Sequence, residues 1–280
     1  MPSSAYWYLG LSLISLLLLT FTMVRAKNIR VVFLFLMMTE AAYLIETVIY
    51  IWGSSYMYHP GILKNSAFYD SNMGALTSNL LVIPTAAVMI AVFQWGWKRI
   101  AALIIVIGCI EWLFVKLEIY TLFWWRIEYT VVGLMFYLPL APLLYARLRR
   151  PVTGKLHALF LFLCAGPVLG TLHILPIMLF MNRSYDLDWF RDSSQSTTAF
   201  SSVYYLVMAC IIVVMMKLQI WRVWMKCLVI SVFIFVLTKG LIAVGVLHVH
   251  VWWDPWYYSL FPPAVFLLFI PISNRMARSM

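Results

Sequence analysis

Nine stretches of this chain are each apolar over about 20 residues, the length an α-helix needs to cross a hydrocarbon core about 30 Å thick. They run over residues 6–24, 31–52, 74–95, 100–119, 129–146, 156–181, 199–217, 227–249 and 258–274. Inside lipid each backbone N–H and C=O must be satisfied within its own segment, so runs of this length predict helices. The predicted fold class is all-α, a polytopic transmembrane helix bundle of about nine spans, with residues 1–280 forming one integral membrane domain. Composition agrees: 64% of the residues are hydrophobic and 11% are charged, where soluble domains have about 45–50% and about 25%. The last run carries Pro262, Pro263 and Pro271, which neighbouring helices can accommodate.

The loops set the orientation. Basic residues without acids mark alternate loops: Arg25, Lys27 and Arg30; Lys98 and Arg99; Arg147, Arg149, Arg150 and Lys155; Lys217, Arg222 and Lys226; and Arg275 with Arg278 in the tail. The intervening loops mix signs or carry acid alone. The positive-inside rule then puts the N-terminus outside and the C-terminus in the cytoplasm. The formal charge of +10 falls in these short loops, which suits anionic lipid rather than nucleic acid. The run from Tyr6 to Val24 is followed, not preceded, by basic residues, so it reads as a retained span and not a secretory signal. Cys109, Cys164, Cys210 and Cys227 lie in or beside apolar runs without CxxC spacing and read as buried apolar residues.

Two segments resemble each other. EWLFVKLEIYTLFWWRIEYTVV begins at Glu111 and KGLIAVGVLHVHVWWDPWYYSL at Lys239. Aligning Trp124 and Trp125 with Trp252 and Trp253 also pairs Tyr129 with Tyr257, Lys98 with Lys226, and Glu111 with Lys239. The expectation is a 1+4+4 arrangement: one span at 6–24, then parallel tandem copies at 31–146 and 156–274 related by an axis along the membrane normal.

Ionisable groups within spans are costly and must face the bundle interior, a partner or water. Glu46, Glu111, His173 and Lys239 fall at one depth on four spans and define a candidate central polar site, with Glu111 and Lys239 expected to pair. Glu40, Lys116 and Glu118 are secondary candidates. The outer loops are rich in aromatic residues, among them Trp52, Tyr56, Tyr58, Tyr120, Trp124, Trp125, Trp252 and Trp253. They read as an interfacial belt or as a vestibule that would include Trp124, Trp125, His248, His250, Trp252, Trp253 and Asp254. The histidines of His248-x-His250 diverge on a helix and share a metal only if the helix ends there; no metal and no cofactor is expected.

No HExxH, GxSxG, Walker or GxGxxG motif is present in the sequence, so enzymatic chemistry has no recognised anchor. Transport or conduction of a small polar solute or ion through the central site is the leading functional expectation. A non-catalytic sensor or assembly subunit is the second, and an intramembrane enzyme acting on a lipid the third. The expected partners are the lipid bilayer and such a solute.

The segment EWLFVKLEIYTLFWWRIEYT and the later Arg149-Arg150-Pro151 turn resemble the signature of an uncharacterised family of polytopic membrane proteins from spore-forming Firmicutes, the CBO0543-like family. Glu118 stands where that family's VKLGIY-like run has glycine. The resemblance covers about a third of the chain and implies a multi-pass protein of the bacterial cell membrane.

Overall fold

The structure, a computed structural model, describes residues 3–278. Among the described residues it contains ten α-helices and four short strands. Within the single membrane domain expected from the sequence, the chain forms two compact units, divided between Arg150 and Pro151.

Unit 1 opens with α1 (Ser3–Ala26), followed by α2 (Arg30–Glu46), whose last turns widen into a π-helical segment over Thr47–Trp52. Strand β1 (Tyr56–Tyr58) comes next. Helix α3 (Ala67–Leu76), a second π-helical segment (Thr77–Val82) and α4 (Ile83–Val92) form one continuous rod. Helix α5 (Trp97–Lys116), strand β2 (Tyr120–Leu122) and helix α6 (Ile127–Leu148) complete the unit. Unit 2 runs α7 (Gly154–Phe180), β3 (Arg183–Tyr185), α8 (Ser193–Lys217), α9 (Val223–Ala243), β4 (Leu247–Val249) and α10 (Asp254–Ala277). The three prolines of the last apolar run lie inside α10 without breaking it.

Among the described residues, eight helices, those spanning Ser4–Ala26, Arg30–Trp52, Ala67–Val92, Ile127–Leu148, Gly154–Phe180, Ser193–Lys217, Val223–Ala243 and Asp254–Ala277, are long and apolar enough to cross a membrane. The chain is all-α and membrane-embedded, with many passes. The 100–119 run also folds as a helix, α5, of 20 residues. It differs from the eight in carrying Lys98, Arg99, Glu111 and Lys116.

Two features at the helix ends are not given by the apolar runs. The stretches 53–73 and 182–198 hold β1 and β3 and then the first turns of α3 and α8. The apolar run at 227–249 stops being helical at Ala243, and its end becomes β4. In unit 1, β1 pairs with β2 antiparallel, Tyr56 opposite Leu122 and Tyr58 opposite Tyr120. In unit 2, β3 pairs with β4 antiparallel, Arg183 opposite Val249 and Tyr185 opposite Leu247. Each ribbon is anchored in the same manner within its unit. The Tyr58 N–H donates to Ser71 Oγ at 2.9 Å, and the Tyr185 N–H donates to Thr197 Oγ1 at 3.1 Å. The His59 N–H reaches the Ile119 carbonyl at 2.9 Å, and the Asp186 N–H reaches the Val246 carbonyl at 2.8 Å. Asp70 accepts from the N–H groups of Gly61, Ile62 and Leu63, which fixes the loop between β1 and α3.

Helices α5 and α9 both end on a left-handed residue, Glu118 at φ +57° and Gly245 at φ +75°. Such a helix terminus favours glycine because a Cβ is crowded there. Glu118 is exposed. Glu118→Gly should therefore stabilise the chain by about 1 kcal/mol, read as a raised melting temperature in detergent; an unchanged or lowered value would show that the Glu118 side chain compensates for its backbone.

Candidate functional site

Unit 1 encloses a cavity of about 200 Å3 to which all of its helices contribute. Its walls divide by depth. Near the ribbon they carry Glu46 from α2, Glu111 from α5, Asn79 from the second π-helical segment and Thr130 from α6, with the rings of Tyr56, Tyr58 and Tyr120. About a turn or more further along the helices, away from the ribbon, the walls are apolar: Leu11, Ala42, Val82, Ile107 and Leu134. Ile45, Tyr129 and Gly133 line the cavity and are exposed, so it reaches the surface of the unit.

Each carboxyl is held by a specific donor. The Tyr56 hydroxyl donates to Glu46 Oε2 at 2.5 Å. The Trp125 indole N–H donates to Thr130 Oγ1 at 2.9 Å, and the Thr130 hydroxyl donates to Glu111 Oε1 at 3.1 Å. Glu46 is only 8% exposed. Asn79 is 6% exposed, and its amide approaches the Glu46 carboxyl without the geometry of a full hydrogen bond. Among the described residues lining the cavity there is no lysine, arginine or histidine. A buried carboxyl, Glu46, and a half-buried one, Glu111, without a basic neighbour on the cavity wall are balanced when a proton or another cation joins them.

Both π-helical segments border this cavity, supplying Ile49 from one and Thr77, Ser78, Asn79 and Val82 from the other. A π-turn inserts a residue and re-aims the side chains that follow, and such turns occur frequently at functional sites. Gly74 allows the ribbon to close over the rod: a Cβ there would lie 2.4 Å from the Tyr58 Cβ.

The ribbon tyrosines form a continuous aromatic cluster. Ring centroids are 4.7 Å apart for Tyr58–Tyr120, 5.3 Å for Tyr56–Tyr120 and 6.0 Å for Tyr56–Trp125. Burial raises the phenol pKa of Tyr56 and Tyr58 well above the ordinary value of 10.0, and the nearby Glu46 carboxylate adds to the effect. Burial also raises Tyr120, with Tyr58 and Glu111 adding. Since the folded-state values lie above the unfolded one, the stability these groups contribute is fully present below about pH 10 and is lost as pH rises beyond it. In an alkaline titration followed by tyrosinate absorbance, these three should ionise only together with loss of tertiary structure. Their ionisation near pH 10 in a folded sample would overturn that assignment.

In unit 2 a buried polar cluster lies beside the β3–β4 ribbon. Arg183 and Asp254 are fully buried and paired, Nη2 to Oδ1 at 2.6 Å and Nε to Oδ2 at 2.8 Å. The Asn182 amide donates to the same carboxylate at 2.5 Å. The guanidinium carbon lies 3.2 Å from the Tyr258 ring centroid and 6.0 Å from that of Tyr185. His173 is buried, with Nε2 3.4 Å from the Tyr185 hydroxyl, and its backbone carbonyl accepts from Tyr258 at 2.8 Å.

The candidates from the sequence are therefore divided between the units. Glu46 and Glu111 share the unit 1 cavity, while His173 belongs to the unit 2 cluster. Within unit 1 Glu111 accepts from Thr130, and within unit 2 Lys239 is exposed with its ammonium 5.6 Å from the Phe235 ring. Counted back from the equivalent turns at Phe114–Ile119 and Leu241–Val246, the residue of α9 that matches Glu111 is Thr238, which is buried. Of the secondary candidates, Glu40 is fully buried in α2 outside the cavity wall, Lys116 is exposed over the Trp112 ring, and Glu118 is exposed. In the expected vestibule, Trp125 lines the cavity, whereas Trp124 is exposed and donates to the Gly53 carbonyl. Trp252 is exposed and Trp253 packs on Phe180 and Tyr257. His248 faces Asp186 at 3.9 Å, and His250 contacts Ser184. Asp254 leaves this group altogether, because it is buried against Arg183.

Sequence reasoning missed Arg183, Asn79 and Thr130. The signal for Asn79 was present as the polar triplet Thr77-Ser78-Asn79 inside an apolar run. Arg183 carried no such signal, because it stands in a loop of mixed charges. Compared with family models, characterised proteins and solved structures, the chain matches none.

Proposed function

We propose that this chain is a multi-pass protein of the bacterial cell membrane that moves a small polar solute or ion, with the unit 1 cavity as its binding site. One observation carries the reading: two carboxyls on different helices open onto a single cavity that contains no basic residue. A pair of acids kept only for packing would be expected to have its countercharge nearby, as Asp254 has Arg183. The π-helical segments on two walls, and their lack of counterparts in α7 and α8, support a specialised site in unit 1 and a scaffold role for unit 2.

The chain crosses the membrane nine times in this reading, with α5 as the ninth span and the N-terminus outside. The alternation of basic loops supports that orientation, which puts the ribbons at the outer face. Units 1 and 2, less α1, are tandem copies of one four-span element. Their common order of helix, strand, helix, helix, strand and helix and their matching ribbon anchors support this. The resemblance of residues 111–130 to the Firmicutes family supports the bacterial cell membrane.

Flux in proteoliposomes tests the proposal. The purified chain in anionic liposomes should give a saturable movement of charge or solute that Glu111→Gln reduces at least tenfold. Binding without flux would overturn transport in favour of the sensor reading.

A further inference from the structure

The chemistry of the cavity narrows what enters it, and we propose that its ligand is a small organic ammonium ion with an apolar body. This rests on reading the cavity as a binding site. The cavity wall carries the Glu46 carboxyl and a second carboxyl, Glu111, from another helix, with no basic residue among the described lining residues. The rings of Tyr56, Tyr58, Tyr120 and Trp125 line the same cavity. Carboxylates with aromatic faces are the combination that recognises ammonium groups, by charge-assisted hydrogen bonds and by cation–π attraction.

Unit 2 displays the same chemistry in a filled form. There the cation is the chain's own Arg183, seated on the Tyr258 ring and held by Asp254. In ribbon register Arg183 occupies in β3 the place that Tyr56 occupies in β1, the first residue of each strand. Unit 1 thus has the acids and the rings but a phenol where unit 2 has its cation. A cation from outside completes it.

The depth gradient of the walls gives the ligand its shape. Its charged end belongs near the ribbon, and its body extends along Leu11, Ala42, Val82, Ile107 and Leu134. An engineered cavity of about 150 Å3 accepts benzene, so about 200 Å3 suits a ring or short chain bearing one amine. An inorganic cation would leave the apolar half unfilled.

Equilibrium binding to the purified full chain in lipid nanodiscs tests this with three probes of similar size: benzylamine, benzyl alcohol and benzoate. Benzylamine should bind saturably, at least tenfold more tightly than benzyl alcohol, and benzoate should not bind. Glu46→Gln should weaken benzylamine at least tenfold and leave benzyl alcohol unchanged. The comparison of probes on the unaltered chain stands even if that variant folds poorly. Equal binding of the alcohol and the amine would overturn the proposal. So would flux of protons, sodium or potassium in proteoliposomes with no amine binding, although transport through the cavity would then stand. Absence of binding by any probe together with absence of any flux would overturn the functional reading itself.

Discussion

Replacing Arg183 with methionine should destabilise the chain by about 3–5 kcal/mol, because it leaves a buried carboxylate without its countercharge. Asp254 is fully buried, and its remaining donor would be the Asn182 amide. The guanidinium also fills the face of Tyr258 at 3.2 Å, so packing is lost along with charge. Arg183→Met should appear as a large fall in melting temperature and in monodisperse yield from detergent. The double substitution Arg183→Met with Asp254→Asn should recover much of the loss, since an uncharged pair requires no compensation. A single variant that melts with the unaltered chain would show that the pair does not hold unit 2 together. A double variant no better than the single one would assign the cost to packing on Tyr258 instead.

That pair also marks where sequence reading runs out. The helices were legible because burial in lipid demands about 20 apolar residues in succession, and their ends fall within a few residues of the runs wherever the next segment is polar. Helix α3 begins earlier than the apolar run, at Ala67 instead of 74, because Ser66 caps it by accepting from the Tyr69 N–H and polar residues fill its first turns. The ribbons were not legible. Each strand has three residues, and its partner lies more than 60 positions away in the chain, so neither periodicity nor a hairpin turn announces it.

The candidate site was half legible for a related reason. Acids inside apolar runs stand out, so Glu46 and Glu111 were found. Partners were inferred by aligning the tryptophan pairs 124–125 and 252–253, which lie in loops beyond the ribbons where spacing is free to differ. The hydrogen-bonded ends of α5 and α9 set the register one residue away. One residue turns a helix by about 100°, enough to exchange exposed Lys239 for buried Thr238 as the counterpart of Glu111.

Glu46→Gln should keep the fold and remove the function. The amide oxygen of glutamine can accept the Tyr56 hydroxyl as Glu46 Oε2 does now, so the ribbon keeps its tie to α2. What disappears is the negative charge, on a side chain that lines the cavity. Losing one partner of a desolvated charge pair costs about 2–5 kcal/mol, so saturable flux or ligand binding should fall on the order of 100-fold, while folded yield stays within about twofold. Tyr56→Phe makes the complementary test. It leaves the charge but removes the donor, so Glu46 is no longer fixed in orientation, and its effect should shrink when Glu46 is already glutamine. Independent, additive losses in the double variant would show that Tyr56 acts only by packing. A Glu46→Gln chain with full flux would remove the carboxyl from the mechanism and leave Glu111, held by Trp125 through Thr130, as the acid to examine.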